Sequence, residues 1–464
     1  MKTKRFICAA LLFVAMMFTE SASAQLKTSY FMEGSYFRTE LNPALRPTRG
    51  YIALPLISGF SNGLYSNYAS TENFYFKRGN ELVSSFDDAV TLNEFLAPLP
   101  NRGIQAQNTN VNLLGVGFYT LGGTFINFGS NARIDIASET PKDFFRSLKC
   151  DDAKVYNLDN MSANASLFLE NYVGLSFNLG EHITLGGRVK FLVGLQNITM
   201  LLDKAIVTNE DGIVERSYEG EFRLNSTMID SSKYDGETNP EIELVGDDLS
   251  TIGRSKSFGV AVDLGGELRL FEDHLKLSAA ITDLGFIKWS KDTQQGGEIV
   301  DLPEEDTCDI FDVDLSDTLP KNFSDYSKRL TTNINMGAEY NFLDNHFAVG
   351  ALLHTRIYRR YMMTEFTTSF NVRPTNWMTF TASHTFLGGN TPGIFGAAVN
   401  IHPRVVNIFF GMDYIDRSEV DPLYANRTEQ VMDGVWLSPR ATSFNFYVGI
   451  GFNFGRPDFL VEQQ

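Results

Sequence analysis

Between Ala163 and Leu195 the chain alternates apolar and polar residues for far longer than an ordinary strand. Ala163, Ala165, Leu167, Leu169, Val173, Leu175, Phe177 and Leu179 share one parity, while Ser166, Glu170, Ser176 and Asn178 hold the other. After a turn at Gly180-Glu181-His182, Ile183, Leu185, Val189, Phe191, Val193 and Leu195 alternate with Thr184, Gly186, Arg188 and Lys190. Successive strand side chains point to opposite faces, so each run is a strand with one apolar and one polar face. Ile126–Ile136, Phe258–Leu268 and Leu330–Phe342 repeat the pattern, and later strands are expected near Phe347–Tyr358, Met362–Val372, Trp377–Leu387, Ile394–His402, Val405–Ile415 and Thr442–Phe454. In the last of these, Phe444, Phe446, Val448, Ile450, Phe452 and Phe454 form one face.

The connections alternate too. Short ones fall at Tyr119–Gly123, Gly180–His182, Phe271–His274, Leu343–His346, Arg373–Asn376 and Pro403-Arg404, at every second junction. Between them lie long polar stretches such as Ala137–Ser162, Met200–Lys256, Ser290–Arg329 and Asp416–Ala441. Short turns at one end and long loops at the other are the layout of an all-β, transmembrane antiparallel β-barrel. A large soluble sandwich or propeller is the competing architecture, but it needs neither such long strands nor this asymmetry. Counting back from the last strand, with Tyr51–Ile57 as the first and Ser58–Asn108 as its outer loop, gives about fourteen strands. Ala205–Met228 reads as a hairpin standing above the membrane, and the stretch from Val90 as a short helix.

The polar parity of these strands carries Arg133, Asp135, Glu170, Arg188, Lys190, Asp263, Glu267, Arg269, Glu339, His354 and Arg356. A charge facing lipid at midplane costs about 2–4 kcal/mol, so these belong to the lumen. They either define a path or form a salt-bridge network that only fills the interior. Asp283 breaks the outward parity of Leu275, Leu277, Ala279, Ile281, Ile287 and Trp289, and Gly285 follows it. That pattern predicts a wall bulge, read either as part of a lateral opening or a hatch contact, or as a local irregularity with Asp283 bonded to backbone.

The first residues, with Lys2, Lys4 and Arg5, an apolar run to Phe18 and Ala22-Ser23-Ala24, have the form of a secretory signal peptide, 1–24, with the mature chain starting at Gln25. The expected destination is the bacterial outer membrane, with its lipids as surroundings and the barrel-assembly machinery as a partner in biogenesis. A formal net charge of -17 argues against a nucleic-acid partner. Cys150 and Cys308 sit in polar stretches, where they either pair or stay free. The acidic stretch from Asp301 to Asp317 lacks the glycine and terminal glutamate of an EF-hand loop, and reads as a solvated loop rather than a calcium site. The sequence carries no nucleophile-elbow, zincin, CxxC or P-loop motif, so no cofactor, metal or catalytic role is expected.

Residues 25–49 precede the first strand and contain "FRTELNPALRPTRG". Asn42-Pro43-Ala44 is a turn signal, since proline fixes its own φ and restricts its neighbour. This segment, with the strand count, resembles the FadL-type hydrophobic-compound channels. With "ITDLGFIKW", Ile281 to Trp289, it is similar to uncharacterised Bacteroidota outer-membrane proteins related to that superfamily. The resemblance implies that 25–49 is a hatch plugging a barrel at 50–455, that 456–464 is a periplasmic tail, and that a hydrophobic or amphipathic small molecule crosses and leaves through the wall. A second class fits the long acidic loops: a surface assembly or secretion-associated barrel that binds partner proteins. A third, a lipid-modifying barrel enzyme, would need a Ser/His pair at the outer rim. The closing strand resembles the C-terminal signal read by the barrel-assembly machinery, although Gly455 to Gln464 follow it.

Overall fold

A computed structural model describes residues 27–55, 57–147, 149, 155–210, 213–226, 255–290, 294–299, 324–387, 393–415 and 443–455. The expected signal peptide, Cys150, Cys308, the acidic stretch from Asp301 and the tail lie outside the described residues.

Fourteen strands close an antiparallel barrel. β1 is split, Gly50–Ala53 and Phe60–Ser66. β2 is Arg102–Tyr119, β3 Phe125–Pro141, β4 Ser162–Leu179, β5 Ile183–Glu210, β6 Ser257–Leu270 and β7 Leu275–Trp289. β8 is again in two pieces, Tyr326–Arg329 and Thr332–Phe342. β9 Phe347–Ile357, β10 Met362–Thr375, β11 Met378–Phe386, β12 Ile394–Ile401, β13 Val406–Ile415 and β14 Ser443–Phe454 complete the wall. Each strand pairs with its neighbours in sequence, and β1 pairs with both β2 and β14, which closes the ring. A closed ring pairs its backbone amides and leaves no edge, the condition for a sheet to stand in lipid.

Alternation decides which way each side chain points. In β14 Ile450, Phe452 and Phe454 are exposed outward, while Asn445, Tyr447, Gly449 and Gly451 are buried inward. Val173, Leu175, Val189 and Phe191 form the same outward apolar band on β4 and β5. The short connections all lie at one end. Two of them, Phe271-Glu272-Asp273 and Leu343-Asp344-Asn345, run through three successive left-handed residues. At the other end β5 continues as a hairpin with Ile213–Ser226, and a short helix, Leu92–Leu96, is capped by Thr91. Tyr68, Val90, Phe95, Phe144, Phe145 and Tyr156 give these loops an apolar core of their own.

The wall departs from the sequence reading at two places. The first strand does not stop at Ile57. It breaks after Ala53 and resumes at Phe60, so Phe60–Ser66 belongs to wall rather than loop. Six residues, Leu54–Gly59, stand opposite Asn112–Leu114 of β2 and only Gly449-Ile450 of β14. The surplus bulges outward, with Leu54 and Ile57 exposed. Pro55, which has no N–H to leave unpaired, suits this position. Ser58 Oγ donates to Ile450 O at 2.7 Å, Ile450 N donates to Ile57 O at 2.9 Å, and Asn112 N donates to Gly59 O at 2.7 Å.

The second departure lies beyond Asp283, where the expected bulge is present, with φ 61. Leu264 faces Ile281 but Val262 faces Leu284, so Thr282 and Asp283 together oppose Asp263. One extra residue inverts every side chain beyond it. Ile287 and Trp289, expected outside, therefore point inward and pack with Phe168, Leu192 and Ala261. Leu284, Phe286 and Lys288 take the outer face.

Candidate functional site

The lumen is not empty. Residues 27–49 touch inward-facing groups around much of the ring. The segment starts at mid-depth, where Lys27 Nζ is 2.6 Å from Glu365 of β10 and both side chains are buried. Thr28 Oγ1 lies 2.5 Å from Ser383 Oγ of β11, and Tyr30 Oη 2.8 Å from Ser278 Oγ of β7. The chain then runs to the short-turn end. There Glu33 accepts from Lys276 Nζ at 2.8 Å and Asn345 Nδ2 at 2.9 Å, with Arg373 Nε at 3.3 Å. Opposite charges hold the Glu33 carboxyl well below the usual carboxylate range despite its desolvation. A short 3-10 turn, Tyr36–Glu40, returns to mid-depth, capped by Ser35. Finally Arg46 Nη1 donates to Gly123 O at 3.1 Å and Arg49 Nη1 to Gly455 O at 3.2 Å before β1 begins.

Asn42-Pro43-Ala44 makes the tight turn its composition predicts: Asn42 Oδ1 accepts from Ala44 N at 2.9 Å. The turn sits on two wall glycines. A Cβ on Gly186 would come within 2.3 Å of the Pro43 carbonyl carbon, and one on Gly265 within 2.1 Å of Asn42 Oδ1. Gly337 faces Tyr30, Gly350 faces Phe31 and Gly451 faces Tyr36 in the same way. Inward glycines thus form a track shaped to the segment.

One side of the segment is aromatic. Tyr36 stacks on Tyr51 at 4.4 Å between ring centroids, and Phe37 on Phe409 at 4.8 Å. Tyr447 and Phe125 complete this cluster. It lies against the broken strand: Tyr36 Oη donates to Ser58 O, and the Phe37 ring is the inner neighbour of Gly59.

The other side is charged. Among the residues singled out in the sequence, Arg133, Asp135, Glu170, Lys190, Asp263 and Asp283 come together. Asp283 Oδ1 is 2.7 Å from both Arg133 Nη1 and Lys190 Nζ. Glu170 pairs with Arg133 at 2.8 Å and Lys190 with Asp263 at 2.9 Å. The bulge is what turns Asp283 inward to these cations. Its own N–H donates to Asp263 Oδ1 at 2.8 Å, and Leu330 N donates to Gly285 O at 3.0 Å. The wall is therefore hydrogen-bonded past Asp283 and Gly285, with no lateral opening there. Arg188 lies beside the network, with its guanidinium 4.2 Å from the Tyr172 ring centroid. Glu267 and Arg269 stand apart at the short-turn end, where Arg269 donates to Glu181 O at 3.0 Å. Arg356 pairs with Glu365 at 3.6 Å, away from the network, and Glu339 pairs with Arg373 at 2.9 Å.

Lys27, Glu33, Glu40 and Glu365 were not singled out from sequence. The first three sit on a segment without periodicity, and the parity of Glu365 within Met362–Val372 was the one available signal. Between the network and the tip of the segment at Glu40-Leu41 lies a cavity with about 620 Å3 of empty space, open solvent included. Among the described residues no group of three His, Cys, Asp or Glu side chains is placed to hold a metal ion.

No curated protein matches the chain. Solved structures similar to it include a TodX deltaS2S3 mutant monoaromatic hydrocarbon channel, 9% identical over 89% of this chain and 93% of that one, with a TM-score of 0.38. A Pseudomonas aeruginosa FadL homologue is 10% identical over 91% and 95%, TM-score 0.39. The translocator domain of the autotransporter NalP from Neisseria meningitidis is 7% identical over 92% and 97%, TM-score 0.35. A family profile matches residues 43–413, from the Asn-Pro-Ala turn through β13. The chain therefore belongs to DUF5723, a family of unknown function.

Proposed function

We propose that this protein is an outer-membrane channel for hydrophobic or amphipathic small molecules, and that residues 27–49 are its hatch. The observation that carries this reading is the aromatic cluster of Tyr36, Phe37, Tyr51, Phe409 and Tyr447 lying against the break in β1. Leu54 and Ile57 face outward on the other side of that break. If Tyr36 and Phe37 withdraw, they leave a mainly apolar groove on the lumen side of the bulge for a hydrophobe, with the Ser58 carbonyl released by Tyr36 as an acceptor within it. The wall route belongs at Leu54–Gly59 and not at Asp283. Uptake of a labelled long-chain fatty acid and a labelled monoaromatic hydrocarbon, by cells with and without the gene, tests it. Gene-dependent uptake that falls in a Tyr36→Ala/Phe37→Ala double variant supports the reading, and equal uptake with and without the gene refutes it.

A second reading rests on the outer loops. Their packed core around Phe95, Phe144 and Tyr156 gives them a fixed shape, which suits a surface that docks other proteins. Purification of the intact barrel from its native membrane decides between them: a stoichiometric protein favours assembly, and co-purified lipid favours transport.

A further inference from the structure

The cavity above the hatch tip has a chemistry opposite to that of the aromatic cluster. Most of its charges are spent on each other, since Arg133 and Lys190 are tied to Asp283, Glu170 and Asp263. Two are not. Glu40 Oε2 accepts from Asn110 Nδ2 at 2.8 Å, and among the described residues no cation lies within ion-pair distance of it. Arg188 is 2% exposed and donates through Nη2 to Thr39 Oγ1 at 3.0 Å. Its guanidinium rests on the Tyr172 ring, and among the described residues it pairs with no carboxylate.

An unpaired carboxylate and an unpaired guanidinium thus face one cavity without reaching each other. Buried polar groups left this way are costly, and the arrangement specifies what would relieve them. A hydrophobe strands both. A simple anion satisfies Arg188 but meets the carboxylates of Glu40, Asp135 and Glu170. A simple cation satisfies Glu40 and leaves the Arg188 guanidinium without a carboxylate. A small zwitterion, with ammonium and carboxylate on adjacent carbons, serves both.

We propose that the cavity is a binding site for a small zwitterionic solute of the amino-acid type, its ammonium on Glu40 and its carboxylate on Arg188. The site is distinct from the aromatic groove and does not depend on hydrophobe uptake. It gives the lumen two compartments of opposite polarity, joined at Leu41.

The test uses the purified full-length mature barrel in detergent at pH 8, where Glu40 is ionised, titrated with L-alanine and followed by calorimetry and thermal unfolding. Saturable binding of L-alanine is expected. N-acetylalanine lacks the ammonium and alaninamide lacks the carboxylate, and each should bind at least about tenfold more weakly, the worth of a hydrogen bond to a charged group. Glu40→Gln should weaken alanine by about the same factor while strengthening N-acetylalanine, an anion that no longer meets the Glu40 carboxylate. No saturable binding of L-alanine, or equal binding of all three compounds, overturns the proposal. The ligand series stands even if the substituted barrel folds poorly.

Discussion

The glycine track makes the hatch testable by a single methyl or two. Gly186 lies on the inner face of β5, and a Cβ there would come within 2.3 Å of Pro43 C, 2.4 Å of Pro43 O and 2.5 Å of Ala44 N. All three are backbone atoms in a turn already closed by the Asn42 side chain, so no flexible end can swing aside. Overpacking of this kind costs about 1–3 kcal/mol, which shifts a docked-to-undocked ratio by roughly 5–150-fold. The strand itself tolerates the change, because valine favours β structure over glycine. Gly186→Val should therefore leave a folded barrel with a loosened hatch, and Gly186→Ala should do so less. Gly266 supplies the control: a Cβ there meets nothing nearer than Leu185 Cδ2 at 3.6 Å. The assay is ion conductance of the purified barrel in planar bilayers, with heat-modifiable gel mobility as the check on folding. The expected order of conductance is Gly186→Val, then Gly186→Ala, then Gly266→Ala equal to the parent. If Gly186→Val folds and conducts like the parent, the segment does not hold the lumen closed and the reasoning fails.

Further expectations follow from the same geometry. Replacing Asp283 with Ala leaves Arg133 and Lys190 short of their shared carboxylate; chemical unfolding in detergent should report a loss of about 3–5 kcal/mol, and a loss under 1 kcal/mol would show the network to be slack. Val448→Arg puts a charge on the outer face of β14 and should cost about 2–4 kcal/mol in the same assay, an effect that vanishes if that face does not meet lipid. Glu40 is pushed up to about 7, chiefly by desolvation and against the pull of Arg188. Docking of the segment thus favours the protonated acid. That contribution is full below the ordinary carboxyl range near 4.5 and is lost as pH rises through about 7. Conductance should accordingly be lower at pH 5.5 than at pH 8, and Glu40→Gln should flatten that dependence.

Much of the architecture was written in the period-two runs and the alternation of short and long connections. Those two signals carry the strand number and which face of most strands points outward, because each follows from local backbone geometry. The end of the first strand and the facing of Ile287 and Trp289 were misread, where local pattern and wall geometry part company. "YIALPLISGF" looks like one strand ending in a loop, since nothing in its composition says that Leu54–Gly59 will be squeezed out while the strand continues. Asp283 did announce itself by breaking parity, but parity cannot tell an opening from a bulge. The difference lies in Arg133 and Lys190, 150 and 93 residues away in sequence. The contacts of residues 27–49 were the least legible. Lys27, Glu33 and Glu40 carry no periodicity, and their strand partners are distributed over β2, β7 and β10.

The central claim is that residues 27–49 must move for anything to cross. Thr28 Oγ1 and Ser383 Oγ are 2.5 Å apart, close to a disulfide's sulfur separation of about 2.0 Å. Thr28→Cys with Ser383→Cys, in a background with Cys150→Ser and Cys308→Ser, should therefore staple the segment to β11. Labelled fatty-acid uptake should be abolished in the oxidised form and restored by dithiothreitol. Uptake that is the same before and after reduction, with the disulfide confirmed by mass, would contradict the account.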